Sequence, residues 1–408
     1  MIQPAPLTFD AGARYVEDTS RPEIVLHPVC HEIKHYTITE DLSSLEHDWR
    51  CFEQRADCTP FQTFDWLATW QRCIGIKQDV TPLIVVARHQ SGDPLFILPL
   101  AVRRAKFLTP LTFLGHALCD YNAPLLAPDF SQKVSPAAFV AFWKKLLVRL
   151  CRTYKFNFVV LDKMPKMIGS QPNPMTELAT TQNASSAHET GLASSWEQFY
   201  LDKRSSATRR NDRKKRNKLS EFGELRFVTA NTPEDISATF ATLVVQKSRK
   251  FRQMGVPNLF AKPGYQKFLL SVATAAPSLV HVSALHVGST RAATNLGLMF
   301  RNCYYHVLAS HEDGPMSHFG PGAAHLHDLM RHAIEQGLTR FDFTIGDEPY
   351  KFNWAERKTD LFDHVSGTGL IGRTGAIVIK EILRLKRFAK NSPAIWKLAC
   401  KLRRVVRL

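Results

Sequence analysis

Apolar positions along this chain change period in a repeating order. Glu32 to Thr39 alternates β-branched and polar residues, which predicts a strand, and Thr39-Glu40-Asp41 is placed to cap a helix running through Phe52. A second, aromatic-rich helix is predicted from Phe61 to Trp70. The apolar runs Leu83 to Arg88 and Leu95 to Arg104 flank Gln90-Ser91-Gly92-Asp93, a hairpin signature. Ser135-Pro136 opens an amphipathic helix to about Tyr154, and Phe156 to Leu161 reads as a buried strand.

From Gly169 to Ser195 the chain is rich in Ser, Thr, Asn and Pro, which predicts a loop or domain junction. A similar order then restarts. A basic helix leads to a strand at Leu225 to Thr229, and Thr232-Pro233-Glu234-Asp235 starts a helix ending near Gly255. A helix from Pro263 to Ala275 is followed by strands near 279–287, 292–300 and 303–310. A helix from Pro321 to Gln336 stops at Gly337, and Arg340 to Ile345 is the next strand. Two similar halves of mixed helix and strand predict a tandem α/β (α+β) architecture: a leader over 1–30, a first domain over 31–190, a second over 191–370 and a tail over 371–408.

Composition narrows the class. The 408 residues are 44% apolar, so the chain can bury a core, and no stretch approaches the ~18 uninterrupted apolar residues of a membrane span. The polar opening, Met1 to Pro28, argues against a secretory leader. The eight cysteines include no C-x-x-C pair, which predicts reduced thiols and a cytoplasmic protein.

The net charge of +16 is concentrated. Lys203 to Lys218 holds nine Lys/Arg and one acid, and Ile371 to Leu408 holds eleven and one. The remainder is close to neutral, which weighs against a general nucleic-acid binder and toward local contact with anionic cofactors or surfaces. In the tail, Val378, Ile382, Leu385 and Ala389 recur at helical spacing among Lys380, Arg384, Arg387 and Lys390. Ile395, Leu398, Ala399, Leu402, Val405 and Val406 form a second stripe beyond Ser392-Pro393. Such basic amphipathic helices suit peripheral contact with an anionic inner-membrane surface; they suit docking on the protein body equally, and the pattern leaves both open.

Three segments carry candidate chemistry. His31-Glu32-Ile33-Lys34-His35 spells H-E-x-x-H, but the following β-branched residues favour a strand, where the two imidazoles stand ~13 Å apart and cannot share a metal. No metal is expected. Ser317-His318-Phe319-Gly320-Pro321-Gly322-Ala323-Ala324 follows a strand and opens a helix, an arrangement that turns backbone N–H groups toward an anion such as a pyrophosphate. An ordinary turn into a helix has the same composition. Phe341 to Trp354 gathers Asp342, Asp347, Glu348, Tyr350 and Lys351 at the end of a buried strand, the residue types that bind an amine and move its proton. Trp354 is placed to wall such a pocket.

These segments carry a resemblance. The aromatic stretch Phe61 to Trp70, Leu98-Pro99-Leu100, Phe113-Leu114-Gly115 with Asp120-Tyr121, the basic run Arg209 to Leu219, the Gly320-Pro321-Gly322 turn, and Gly346-Asp347-Glu348-Pro349-Tyr350-Lys351 with Trp354 are similar to the GNAT-related acyltransferases of the FemAB-like and CelD-like (cellulose biosynthesis protein) group. The resemblance spans about residues 40 to 366. It implies tandem GNAT-like domains with mixed central sheets, an acyl-CoA or acetyl-CoA cosubstrate on the second domain, and an amine acceptor entering between the halves. Gly320, Gly322 and the adjoining Ala323 would hold the pyrophosphate. Asp120, Tyr121, Asp347, Glu348, Tyr350 and Lys351 would line the acceptor side, with Asp342 and Trp354 of the same segment as further substrate-binding candidates. The GNAT loop usually reads R/Q-x-x-G-x-G/A, and Ser317 stands here where Arg or Gln is expected. Cations of 203–218 are candidates to replace that contact.

The implied reaction is direct attack of an amine on a thioester, with the oxyanion held by strand amides near 303–310. Asp347 or Glu348 would take the proton, with His306 and His311 as alternatives, and Tyr350 would protonate the thiolate. Two further readings stand beside it. One is a FemAB-like aminoacyl transfer from tRNA, disfavoured by the lack of a long heptad-bearing insert; the other is a non-enzymatic binder of anionic membrane or nucleic acid.

Overall fold

A computed structural model describes residues 33–104 and 109–391. The first half runs β1 (His35–Thr39), α1 (Glu46–Arg55), α2 (Phe64–Trp70), β2 (Val80–Arg88), β3 (Pro94–Arg103), β4 (Pro110–Phe113), α3 (Pro136–Tyr154), β5 (Phe158–Pro165) and β6 (Thr180–Gly191). After α4 (Trp196–Lys203) and α5 (Ser206–Ser220) the order recurs: β7 (Leu225–Thr229), α6 (Pro233–Met254), α7 (Tyr265–Ala275), β8 (Val280–Val287), β9 (Thr290–Phe300), β10 (Cys303–His311), α8 (Pro321–Glu335), β11 (Arg340–Ile345) and β12 (Arg357–Gly367). Helix α9 (Gly369–Asn391) closes the described chain. Of the H-E-x-x-H segment, His31 and Glu32 lie outside the described residues and His35 begins β1. The second tail stripe, from Ile395 on, also lies outside them.

One continuous sheet runs β1-β2-β3-β4-β5-β12-β6-β11-β10-β9-β8-β7, with the short strand Leu125–Leu126 paired beside β3. Read from either end the order is the same once β1–β6 are matched to β7–β12. The pairs β4–β5 and β10–β11 are both parallel, and each is bridged by a helix, as parallel strands require. The last strand of each half is exchanged: β6 pairs with β11 of the second half, and β12 pairs with β5 of the first. The two exchanged strands then pair with each other, so the sheet is continuous across the 190/191 division read from the sequence.

Local chemistry explains the helix boundaries. Ser135 Oγ accepts from Ala138 N and Pro136 occupies the first turn of α3; Thr232 caps α6, which ends on left-handed Gly255. Asp41 Oδ1 accepts from Ser43 N, so the predicted first helix begins as a 3₁₀ turn and becomes α-helical at Glu46. The expected loop at 169–195 instead contains β6, a twelve-residue central strand. Its sequence, TTQNASSAHETG, lacks alternating apolar residues because its side chains meet polar partners: Asn183 donates to Asp363, and Ser186 to Asp360.

Helix α9 lies across β12 and β6. Gly372 permits the approach, since a Cβ there would collide with the Asn157 carbonyl oxygen. No described helix is long and apolar enough to cross a membrane.

Candidate active site

The parallel ladder between β10 and β11 is short. It runs from Cys303↔Arg340 to Tyr305↔Asp342 and then stops, and the strands diverge. Beyond that point lies a cavity of about 530 Å³, walled by His306 to His311 on β10, Phe343 to Ile345 on β11, the first turn of α8, and the segment Glu348 to Trp354. From the first half, Asp120 reaches it.

The divergence has a local cause. Thr344 adopts φ +57°, a costly conformation for a β-branched residue, and the β11–β6 register shifts between Asp342 and Ile345. Four contacts hold that conformation. Asp342 Oδ1 accepts from Thr344 N at 2.7 Å, Thr344 Oγ1 donates to His306 O, and Lys351 Nζ donates to the carbonyls of Thr344 and Ile345. Lys351 also pairs with Glu348 at 3.0 Å, so all three ammonium donors are engaged. Buried beneath the loop, Lys351 acts as a clamp.

Asp342 is itself buried. Tyr121 Oη donates to its carboxylate, 2.8 Å from each oxygen, and Gln62 Nε2 donates to Tyr121 O at 2.7 Å. Phe61 packs edge-on against Tyr121 and Tyr305, so the aromatic segment of the first half buttresses the strand end of the second. Burial pushes the Asp342 carboxyl up to about 7 despite the hydrogen bonds from Tyr121 and Thr344. Burial likewise raises Asp120, with Lys163, Thr344 and Lys351 pulling it back. His306 is driven down to about 3 by burial and by the cations Lys351 and Lys247, which keeps its imidazole neutral.

Of the residues singled out in the sequence, Asp120, Gly320, Gly322, Ala323, Glu348, Tyr350, Lys351 and Trp354 line this cavity. Tyr121 and Asp342 stand behind its wall. Asp347 turns elsewhere: His188 Nε2 lies 2.9 Å from Oδ1 and Lys390 Nζ 2.7 Å from Oδ2. Burial raises that carboxyl, but the Lys390 and His188 hydrogen bonds outweigh it and hold the group below the usual range. Ser317 bonds its own turn, donating to Gly314 O at 2.7 Å. Trp354 stacks on Phe199, with the Arg204 guanidinium 4.7 Å from the indole.

Sequence reasoning passed over Lys247. It projects from α6, donates to Ala309 O at 3.1 Å and is lowered by burial, with Glu348 opposing. A single Lys in a helix of mixed charge carries no signal until β10 is known to pass beside it.

The α8 entrance differs from its counterpart in the first half. Helix α3 is capped by Ser135, whereas α8 begins at Gly320, φ +67°, with no side-chain cap. A Cβ at Gly322 would come within 3.1 Å of His311 Cδ2, so glycine permits the first turn to pass close to β10. A second cavity of about 240 Å³ adjoins the first through Gly320, Ala323 and His327, and α5 contributes Arg209, Arg213, Lys215 and Arg216 to it. Arg216 is paired with Asp328, and Arg209 bonds backbone carbonyls. Arg213 and Lys215 make no ion pair among the described residues. The basic run therefore meets the uncapped helix start.

Residues 206–352 match the family model described as an acetyltransferase (GNAT) domain. The chain carries a GNAT domain. Its whole fold is FemAB-like: FemX superposes with a TM-score of 0.56 at 10% identity, covering 82% of this chain and 98% of FemX. The C-terminal domain of a protein assigned as a lysylphosphatidylglycerol synthetase from Agrobacterium fabrum gives 0.51 at 10% identity, covering 83% and 96%. A conserved protein of unknown function from Bacteroides thetaiotaomicron gives 0.52 at 11%, covering 81% and 99%. Comparison with curated protein sequences returns no match. The matched stretch runs from α5 to Phe352 and supplies most of the lining of both cavities, with Asp120, Trp196, Tyr200, Arg204, Asn353 and Trp354 added from outside it.

Proposed function

We propose that this chain is an N-acyltransferase that moves an acyl group from an acyl-CoA to an amine acceptor. The observation that carries the reading is the meeting of three features at two adjoining cavities joined at the start of α8: diverging parallel strands at the larger, the uncapped Gly-rich helix start between them, and at the smaller the α5 cations Arg213 and Lys215, which make no ion pair among the described residues. Gly320, Gly322 and Ala323 would bind a pyrophosphate through backbone N–H groups, and Arg213 and Lys215 would take a further phosphate in place of the residue missing at 317.

Within this reading β10 supplies backbone donors beside the carbonyl that is attacked. Asp120, whose carboxyl burial raises and so makes more basic, accepts the amine proton as the C–N bond forms and the C–S bond breaks. Glu348, fixed by Lys351, holds the incoming ammonium, which gives a first proton to solvent before it attacks; the proton that Asp120 takes is the second. Tyr350 returns a proton to the departing sulfur; burial and the Glu348 charge raise its phenol, so it keeps that proton until the thiolate forms. Asp347, held by His188 and Lys390, positions the loop.

The basic wall of α5 also supports a second reading, in which the donor is an aminoacyl-tRNA. Calorimetric titration with acetyl-CoA, a long-chain acyl-CoA and an aminoacyl-tRNA separates the two. Saturable acyl-CoA binding supports the first reading, and its preferred chain length indicates a small or a lipid-like acceptor. Binding of the tRNA alone replaces it with the second.

A further inference from the structure

Helix α9 is packed through its small side chains and presents its large ones to solvent. Gly372 and Ala376 are buried against the sheet, and Ile379 and Leu383 are half-buried. The inner face is also gripped by polar contacts, from Arg387 to Gln182 and from Lys390 to Ser185 and Asp347. On the outer face Ile371, Val378, Ile382, Leu385 and Phe388 are 70%, 53%, 57%, 66% and 65% exposed. Their spacing of three, four and seven residues makes one stripe, about 27 Å long at 1.5 Å per residue. Exposed apolar surface of this extent marks a contact.

Charge selects the partner. Arg373, Arg384 and Lys386 are exposed on either side of the stripe, and the one acid of the helix, Glu381, is already paired with Arg384 at 2.6 Å. A second copy would set these cations against their own equivalents across a two-fold axis. Residues 392–408 would do the same, since they add five Lys/Arg and no acid. A convex apolar ridge between rows of cations fits a fluid anionic surface, where the stripe enters the acyl boundary and the cations meet headgroups.

We propose that α9 is an interfacial helix that docks the protein on anionic lipid bilayers. This goes beyond the acyltransferase reading and stands without it. Through Lys390 and Asp347 the docked helix is joined to the loop whose next residue, Glu348, lines the cavity.

The test is flotation of the full chain with phosphatidylcholine vesicles, and with the same vesicles carrying roughly one phosphatidylglycerol in three. The wild type should float with the anionic vesicles and fall off with added salt. Ile382→Asp with Leu385→Asp should lower the bound fraction at least about tenfold, with circular dichroism unchanged because both positions face solvent. Arg373→Glu with Arg384→Glu and Lys386→Glu should remove the preference for anionic lipid. Three results would overturn the proposal: no flotation of the wild type; flotation unaffected by the Asp pair, which would assign binding to another basic segment such as α5; or a wild-type dimer that the Asp pair converts to monomer, which would assign the stripe to a second copy.

Discussion

Tyr121 and Asp342 are joined by a hydrogen bond from the phenol to both carboxylate oxygens, at 2.8 Å each, across 221 positions of sequence. The pair ties a first-half loop to the strand end where β10 and β11 part. It also makes stability depend on pH. An exposed aspartate in the unfolded chain titrates near ~3.9, whereas burial holds Asp342 up to about 7. Between those values the native state retains a proton that the unfolded state has released. Stability contributed at this position therefore falls as pH rises from about 4 to about 7, and is level above. Asp342→Asn should flatten that portion of the Tm–pH curve and raise Tm at pH 8 relative to wild type; an unchanged slope in thermal melts would show that Asp342 does not carry the proton.

Tyr121→Phe tests the same pair from the other side. Removing the hydroxyl leaves the buried carboxyl with Thr344 N as its remaining donor, a loss of about 1–3 kcal/mol. In the Asp342→Asn background the cost should shrink, because the group left behind is no longer ionisable. Urea unfolding of the four proteins of the cycle gives the coupling directly. Equal costs in both backgrounds would mean that the phenol contributes by packing alone.

Gly322→Trp should abolish acyl-CoA binding while leaving the far-ultraviolet circular dichroism intact. The ring would project into the cavity beside His311, where even a Cβ comes within 3.1 Å. Retained affinity in calorimetry would remove the α8 entrance from the donor site.

Asp120 and Asp347 separate a carboxylate in the cavity from one outside it. Asp120→Asn should lower kcat by about 10²-fold or more with acyl-CoA affinity unchanged, the usual loss for a general base. Asp347→Asn should cost less than about threefold, since its carboxylate is occupied by His188 and Lys390. Thiol release, followed over a panel of primary amines, reads both. The reverse order would return the base to Asp347.

Much of this arrangement is legible in the amino-acid sequence, and the reasons are local. Ser135-Pro136, Thr232-Pro233 and Gly337 mark helix ends through caps and left-handed turns whose chemistry is carried by the residues themselves. Asp120 and Tyr121 are singled out through the resemblance and Asp342 through its place at a strand end, whereas the hydrogen bond that joins Tyr121 to Asp342 depends on how the two halves meet. Strand β6 was hidden because its neighbours supply its partners: Asn183 and Ser186 meet Asp363 and Asp360 of β12, so no apolar alternation was required. The separation of Asp347 from Glu348 was hidden for a related reason. Adjacent residues on a turn diverge, and it is Lys390, 43 positions later, that draws one of them out of the cavity.

The basic segment 203–218 divides in the same way, and the division yields the last prediction. Arg204 and Arg216 are spent on Asp212 and Asp328, and Arg209 caps carbonyls of Leu201 and Arg204, so these three hold α5 in place. Arg213 and Lys215 face the smaller cavity with no such partner among the described residues, which leaves their charge for a ligand. Arg213→Ser with Lys215→Ser should weaken acyl-CoA binding about tenfold or more, in line with charge-assisted contacts of about 1.5–3 kcal/mol. The loss should diminish for dephospho-CoA, which lacks the 3′-phosphate these cations would hold. Arg216→Ser should instead lower Tm, because burial has raised the Asp328 carboxyl and the arginine offsets that cost. If the double variant bound both donors as the wild type does, the α5 cations would have no part in donor recognition, and the compensation for Ser317 would have to come from Lys247 or from the helix start itself.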